Sequence, residues 1–443
     1  MPTKQKSQSK KHDLTTKKKT SKLVLAGGLG VSSAVFYSLA PLFIFFFDDN
    51  PLVILYPIFI ATIQELMSFI VVSVRNGFEK WKAIQKQEII WLNFTLIAPF
   101  FYALFVGISL SIADIFNKLK NLQVWIVALV GVLAGPFTMA LLMITSLFLN
   151  DGTIGNIILN TAPIYCMILS HFILKQKINH VGLVSLIITT LFTFGMLINY
   201  FFIAPNITWK SIVGVCLAFV GAFIYAFESL ISDYFLHSNK IKLTNYEIVS
   251  VKSFISFWAM LIIALPIATV IDQQPWYSGW AMFKTTFDSY HWLALLIYAS
   301  GIIMGLGRLI YFRTIQLSSG TYALATQLTM LIWTPVLQIL GNLLIPRINT
   351  ADLPWFYWLW TALILIGLAL MTFNEEINAW FSKRKNKINA WFAKWKKPKK
   401  QHHHKINAWF AKWKKPKKQK HHKINAWFSK RKKPKKQKHH KKN

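Results

Sequence analysis

Residues 52–74 read Leu52-Val-Ile-Leu-Tyr-Pro-Ile-Phe-Ile-Ala-Thr-Ile-Gln-Glu65-Leu-Met-Ser-Phe-Ile-Val-Val-Ser-Val74. Glu65 is the only charged side chain in the stretch. A helix rises 1.5 Å per residue, so about 20 apolar residues cross a hydrocarbon core of about 30 Å. Lipid offers the backbone no hydrogen bonds, which leaves a helix or a closed barrel as the spanning structure. Barrel strands alternate apolar and polar residues. Residues 52–74 do not alternate, so they are predicted to be a membrane helix. Ten similar runs fill the chain, at 23–47, 89–113, 124–149, 157–174, 181–202, 212–232, 248–271, 292–312, 322–345 and 355–373. The expected fold class is therefore an all-α polytopic membrane protein.

The formal net charge of +34 lies outside these runs. Residues 1–22 carry eight Lys and one Asp, and residues 377–443 carry 24 Lys and two Arg with no acid. The membrane body between them is nearly neutral. A soluble nucleic-acid binder with a basic folded face is thereby excluded. The first run is too long for a cleaved signal peptide and is expected to stay as a helix. Cys166 and Cys216 both fall inside apolar runs, where packing rather than a disulfide is expected.

Basic loops face the cytoplasm. Both tails are basic and are expected there, as are the 75–88 link with Lys80, Lys82 and Lys86, and the pairs Lys175/Lys177 and Lys240/Lys242. The acidic link Asp48-Asp49-Asn50 fits the outside. Two cytoplasmic ends need an even number of crossings, so ten spans are expected, with eleven as the alternative. Residues 89–113 are the expected misfit, re-entrant or interfacial.

Three landmarks recur at an offset of 172 residues: Gly135 with Gly307, Pro163 with Pro335, and Gly195 with Gly367. Ala34-Val-Phe-Tyr37 also resembles Ala222-Phe-Ile-Tyr225. Duplication is the expected source. The organisation read from this is a basic tail (1–22), a first repeat (23–203, with 89–113 as the extra segment), a second repeat (204–375) and a basic tail (376–443). Each repeat holds about five transmembrane helices. Internal repeats are common in secondary transporters, which bind cargo between the halves near the bilayer midplane.

An ionisable side chain at bilayer depth costs at least about 2.5–3.5 kcal/mol, which makes it a functional candidate. Glu65 (beside Gln64), Glu228 and Arg308 meet that test. Either glutamate can serve as a proton-coupling site. The alternative is a structural ion pair with Arg308 that holds helices in register. Pro163 and Pro335 are expected to break their helices and free a carbonyl for cargo, although plain kinks look the same in sequence. Tyr37, Tyr225, Tyr311, Tyr322, Gln327 and Trp333 complete a candidate aromatic cavity. Trp276, Trp280, Trp292, Trp355 and Trp358 flank runs and fit an interfacial belt. No Walker loop, metal cluster or enzyme constellation occurs, so no cofactor, no metal and no enzymatic activity are expected. His171 and His180 are expected to be structural.

The stretch Gly305-Leu-Gly-Arg-Leu-Ile-Tyr-Phe-Arg-Thr-Ile-Gln-Leu-Ser-Ser-Gly-Thr-Tyr-Ala323, continuing to Trp333-Thr-Pro335, resembles the EamA-like branch of the drug/metabolite transporter superfamily. Leu359-Trp-Thr-Ala-Leu-Ile-Leu-Ile-Gly367 resembles that family's last helix. The chain differs from the pattern in lacking a Glu after the Pro-bearing helices and a Trp-Gly pair in the first. The resemblance implies a ten-helix carrier with both ends cytoplasmic, exporting a small molecule by alternating access without ATP.

Residues 387–404, 405–422 and 423–440 repeat an 18-residue unit of Lys-Ile-Asn-Ala-Trp-Phe, basic residues, Pro and a His cluster. Tails this charged, residues 1–22 as well as 376–443, cannot build a core and are expected to be disordered in water. Attraction to anionic lipid is the favoured role, with nucleic acid the weaker rival. The expected function is thus a secondary transporter of the plasma membrane, probing a small-molecule substrate and with proton coupling as an option. The competing class is a non-transporting platform whose tail recruits anionic lipid or nucleic acid. A lipid-modifying enzyme is disfavoured because long polar loops are missing. No oligomeric state is legible.

Overall fold

The computed structural model describes residues 3–39, 54–87, 97–138, 141, 152–159, 161–175, 180–203, 208–238, 241, 243–289, 291–344, 355–373 and scattered positions between 377 and 389. Among these the regular structure is helical, with no strand. The helices are α1 (Thr3–Leu39), α2 (Leu55–Gln87), α3 (Ile97–Leu119), α4 (Leu122–Val132), α5 (Gly152–Leu159), α6 (Ala162–Ile173), α7 (His180–Ile203) and α8 (Trp209–His237). They continue as α9 (Asn245–Ala259), α10 (Leu265–Ile271), α11 (Ser278–Ser289), α12 (His291–Leu317), α13 (Gly320–Gln327), α14 (Met330–Leu344) and α15 (Trp355–Thr372). A π-helical turn, Leu133–Phe137, follows α4, and another, Met260–Ala264, joins α9 to α10.

Eight segments are long and apolar enough to cross a membrane, and Leu122–Gly135, Ile157–Ile173 and Trp355–Gly367 are shorter apolar helices. Together they fall one to each of the eleven runs seen in the sequence. Large apolar side chains such as Phe105, Leu191, Phe202, Ile262, Val270 and Leu343 face outward, while Glu65, Glu228, Lys252 and Arg308 are buried. That inverts the arrangement of a water-soluble protein and suits an apolar solvent.

Asp272, just beyond α10, supplies the cap of α2: its Oδ2 accepts from the backbone N–H of Ile54 (2.9 Å) and Leu55 (2.6 Å). Thr244 and Glu247 form a capping box that starts α9. The far end of α2 meets the start of α9, where the Arg75 guanidinium lies 3.0 Å from the centre of the Tyr246 ring. The two helices therefore run antiparallel.

Helix α3 meets α2 only near the Arg75 end in its tightest contacts. Gly77 abuts Ala103, Gly107 abuts Ser73, and Trp81 packs on Tyr102. Its far end stays at that same end of the body, because Lys118 pairs with Glu247 at 2.8 Å. Phe101, Phe105 and Phe116 are left exposed on its outer face.

Two expectations change. The N-terminal tail is not irregular, since α1 starts at Thr3 and runs unbroken through the basic residues. Between Thr3 and Ala26 there is no Gly or Pro, so nothing stops the helix of the first run from extending backwards. Cys216 is exposed, and only Cys166 packs inside. The three 18-residue units beyond Asn389, the Asp48–Asn50 link and Lys177, Lys240 and Lys242 lie outside the described residues. Ala379–Asn443 forms a separate unit, in which Arg384 lies 5.0 Å from the Trp380 ring centre.

Candidate functional site

Helical spacing gathers the polar side chains before any tertiary contact is made. Along α8, Tyr225, Ser229 and Asp233 recur every four residues, with Glu228 three beyond Tyr225, and share one face. Arg308 and Tyr311 do the same on α12, as Glu65 and Ser68 do on α2. Tyr225, Glu228, Arg308 and Tyr311 from these faces line a cavity of about 750 Å³, open solvent at its mouth included. Tyr37, Tyr225, Tyr311 and Phe312 form its aromatic wall, and Glu228, Lys252 and Arg308 bring charge to it.

Two buried ion pairs define the site. The Arg308 Nη1 donates to Glu65 Oε2 at 2.5 Å, with Ser68 and Ser253 hydroxyls at 3.5 Å. Lys252 of α9 pairs with Glu228 of α8, both nearly inaccessible. Gly131 on α4 makes room for the lysine stem: a Cβ there would lie 2.6 Å from Lys252 Cγ. The ammonium also sits 4.6 Å from the centre of the Phe312 ring. Two acids and two bases cancel, as burial of charge requires.

The π-helical turn carries Gly135 into the same place. Pro136 has no N–H to give the α-helical ladder, and Thr138 Oγ1 reaches back to Leu133 O at 3.0 Å. A Cβ on Gly135 would fall 2.8 Å from Glu65 Oε1 and 3.4 Å from Arg308 Nη2. That Glu65 oxygen is buried and accepts no hydrogen bond from the described residues.

From the cavity a chain of hydrogen bonds leads to the end of α8. Tyr311 OH donates to Ser229 Oγ (3.0 Å), which donates to Gly320 O (3.1 Å). The Gly320 N–H donates to Asp233 Oδ2 at 3.1 Å, and Asp233 Oδ1 meets His237 Nδ1 at 2.7 Å. The turn between α12 and α13 is thereby tied to α8.

Of the residues singled out from sequence, Glu228, Arg308, Tyr37, Tyr225 and Tyr311 line the cavity and Glu65 stands behind Gly135. Gln64, Tyr322, Gln327 and Trp333 are not brought to it. Tyr322 OH donates to Leu23 O (3.1 Å) and Gln327 Nε2 to Gly30 O (3.4 Å), so both join α13 to α1. Gln64 is buried beside Gly301, and Trp333 is half-buried outside the lining. Pro163 sits at the start of α6, just past a break after α5. Pro335 lies inside α14, and the carbonyl it frees, Leu331 O, accepts from Tyr357 OH at 2.9 Å. That carbonyl is taken by a neighbouring helix and not offered to cargo. The break in this run falls instead between α13 and α14, where Thr326 and Thr329 hydroxyls turn back onto the chain.

Lys252 escaped the sequence reading. The signal was present, since it is the sole charged residue in the run 248–271. Comparison with family models and with curated proteins returns no match.

Proposed function

We propose that the chain is a secondary transporter, moving a small molecule across the membrane by alternating access. The observation that carries this is a cavity walled by aromatics and lined by Glu228, Lys252 and Arg308, with Glu65 behind Gly135, so that two buried ion pairs from four different helices meet at its wall. A purely structural pair needs no empty space beside it. A binding site does, and buried charges at depth are costly to keep without a use.

The proposal includes two repeats of five helices with α3 as the extra segment. Contact reciprocity supports it. Helix α1 packs on α12, α13 and α14, and α8 packs in the corresponding way on α4, α5 and α6. Gly195 faces Trp360 across the α7–α15 contact, and Gly367 faces Thr189, with Ile188 next to it. Adding 172 to Ile188 gives Trp360, so the approaches of Gly195 to Trp360 and of Gly367 to Ile188 are images of each other under the sequence offset.

Ten crossings with both ends cytoplasmic follow if α3 stays at the basic end with Arg75, Lys118 and Lys120. The likeness of residues 305–335 to EamA-like carriers agrees with this reading, and the plasma membrane is its proposed location. The C-terminal tail, with its Lys and Trp-Phe units, is proposed to rest on anionic lipid.

The test is exchange flux in proteoliposomes loaded with amino acids, nucleosides or lipophilic ions. Wild type is expected to exchange at least one class. Ala134→Phe, which fills the cavity wall, is expected to abolish that flux in folded protein. Unchanged flux with the cavity filled would refute the proposal.

A further inference from the structure

Lys252 and Glu228 differ from the other buried pair in a way that bears on cargo. Arg308 is held by Glu65 and flanked by two serine hydroxyls, and it joins α2 to α12. Lys252 has Glu228 as its one anionic partner among the described residues. It lies on the cavity lining, its stem in the Gly131 slot and its ammonium over Phe312. The slot fixes the stem and leaves the ammonium at the cavity edge, where a partner can be exchanged.

We infer that Lys252 is the counter-charge for an organic anion, and that Glu228 takes up a proton when that anion binds. This rests on the carrier reading, whose cavity it uses, and it names the cargo class. The charge balance demands the second half. Lys252 cannot neutralise Glu228 and a cargo anion together, and an unpaired carboxylate in a dry site is strongly disfavoured. The proton comes from water on the open side and adds to the Glu228 carboxylate, while the ammonium keeps its proton and changes partner.

The other titratable groups facing Glu228 do not supply the charge. Arg308 is matched by Glu65, and Tyr37, Tyr225 and Tyr311 are phenols, neutral at pH 7. Asp233, one turn further along α8, is spent on Gly320 and His237. The aromatic wall then suits a cargo with a flat apolar body and an anionic head.

The experiment uses the full chain in lipid nanodiscs with benzenesulfonate, benzyl alcohol and benzylammonium as probes. Benzenesulfonate is expected to bind about tenfold or more tightly than benzyl alcohol, the factor a charge-assisted hydrogen bond supplies. In weakly buffered solution it is expected to withdraw a proton per bound anion, read by an indicator dye, whereas benzyl alcohol withdraws none. Lys252→Met is expected to erase the preference and Lys252→Arg to keep it. If Lys252→Met does not fold, Lys252→Met with Glu228→Leu replaces the pair by apolar groups and should bind both probes alike.

Absence of sulfonate binding, preference for benzylammonium, anion binding without proton uptake, or a sulfonate preference surviving in the double variant would each overturn the inference. Binding is read without a gradient. Proton-linked anion binding in protein that shows no exchange flux would refute the carrier reading alone.

Discussion

At Glu65 the two carboxylate oxygens have unequal fates, one holding Arg308 and the other facing Gly135 with no hydrogen-bond partner among the described residues. Breaking such a pair leaves an uncompensated buried charge, at a cost of about 3–5 kcal/mol. Glu65→Gln is therefore expected to destabilise the protein by that order in detergent unfolding titrations, while Glu65→Leu with Arg308→Met recovers most of the loss. Equal stability of Glu65→Gln and wild type would remove the pair from the fold's support. Gly135→Ala drives a methyl into the same pair, and overpacking of this kind costs about 1–3 kcal/mol. It is expected to lower both stability and flux. Buried, paired charge was legible where a charged residue sits far inside an apolar run, as for Glu65, Glu228 and Arg308. Lys252 stands only four residues into its run, where a lysine can usually snorkel to the interface. Only the slot at Gly131, a feature of another helix, draws it inward.

Among elements, helix identity followed from run length, and one described helical segment corresponds to each of the eleven runs. What sequence could not give was the use made of the breaks. Pro335 removes a hydrogen bond from α14 wherever it stands, but the acceptor it frees is satisfied by Tyr357 of α15. Tyr357→Phe is expected to cost about 1–3 kcal/mol by leaving Leu331 O buried and unpaired, with exchange flux retained in protein that stays folded. Loss of flux at full stability would return that carbonyl to the transport path. Counting alone marks the run 89–113 as the expected misfit, and Phe101–Leu119, which overlaps it, is long and apolar enough to cross a membrane. The contacts of Ala103 with Gly77 and Lys118 with Glu247, which bring α3 to the Arg75 end of α2, could not be read from sequence, because an interfacial helix with exposed phenylalanines is as apolar as a spanning one.

For the whole molecule, the approach of Gly195 to Trp360 and of Gly367 to Thr189 and Ile188 is the packing that the proposed duplication would produce. The tails show the opposite case. Composition alone suggested disorder for residues 1–22, and the helix of the first run nonetheless propagates through them. The proposed orientation is checked with single cysteines at Lys82, Lys120 and Asp272. An impermeant maleimide is expected to reach positions 82 and 120 from the cytoplasmic face and position 272 from the opposite one. Labelling of 120 and 272 from one face would contradict ten crossings.

Alternating access itself is tested most directly at Met330, which lines the cavity. With Cys166 and Cys216 replaced by Ser, Met330→Cys would be exposed to an impermeant methanethiosulfonate in right-side-out and in inside-out vesicles. A carrier is expected to react in both orientations, and filling the cavity with Ala134→Phe should block both. Reaction from one face only, or from neither, would contradict a cavity that opens by turns to each side of the membrane.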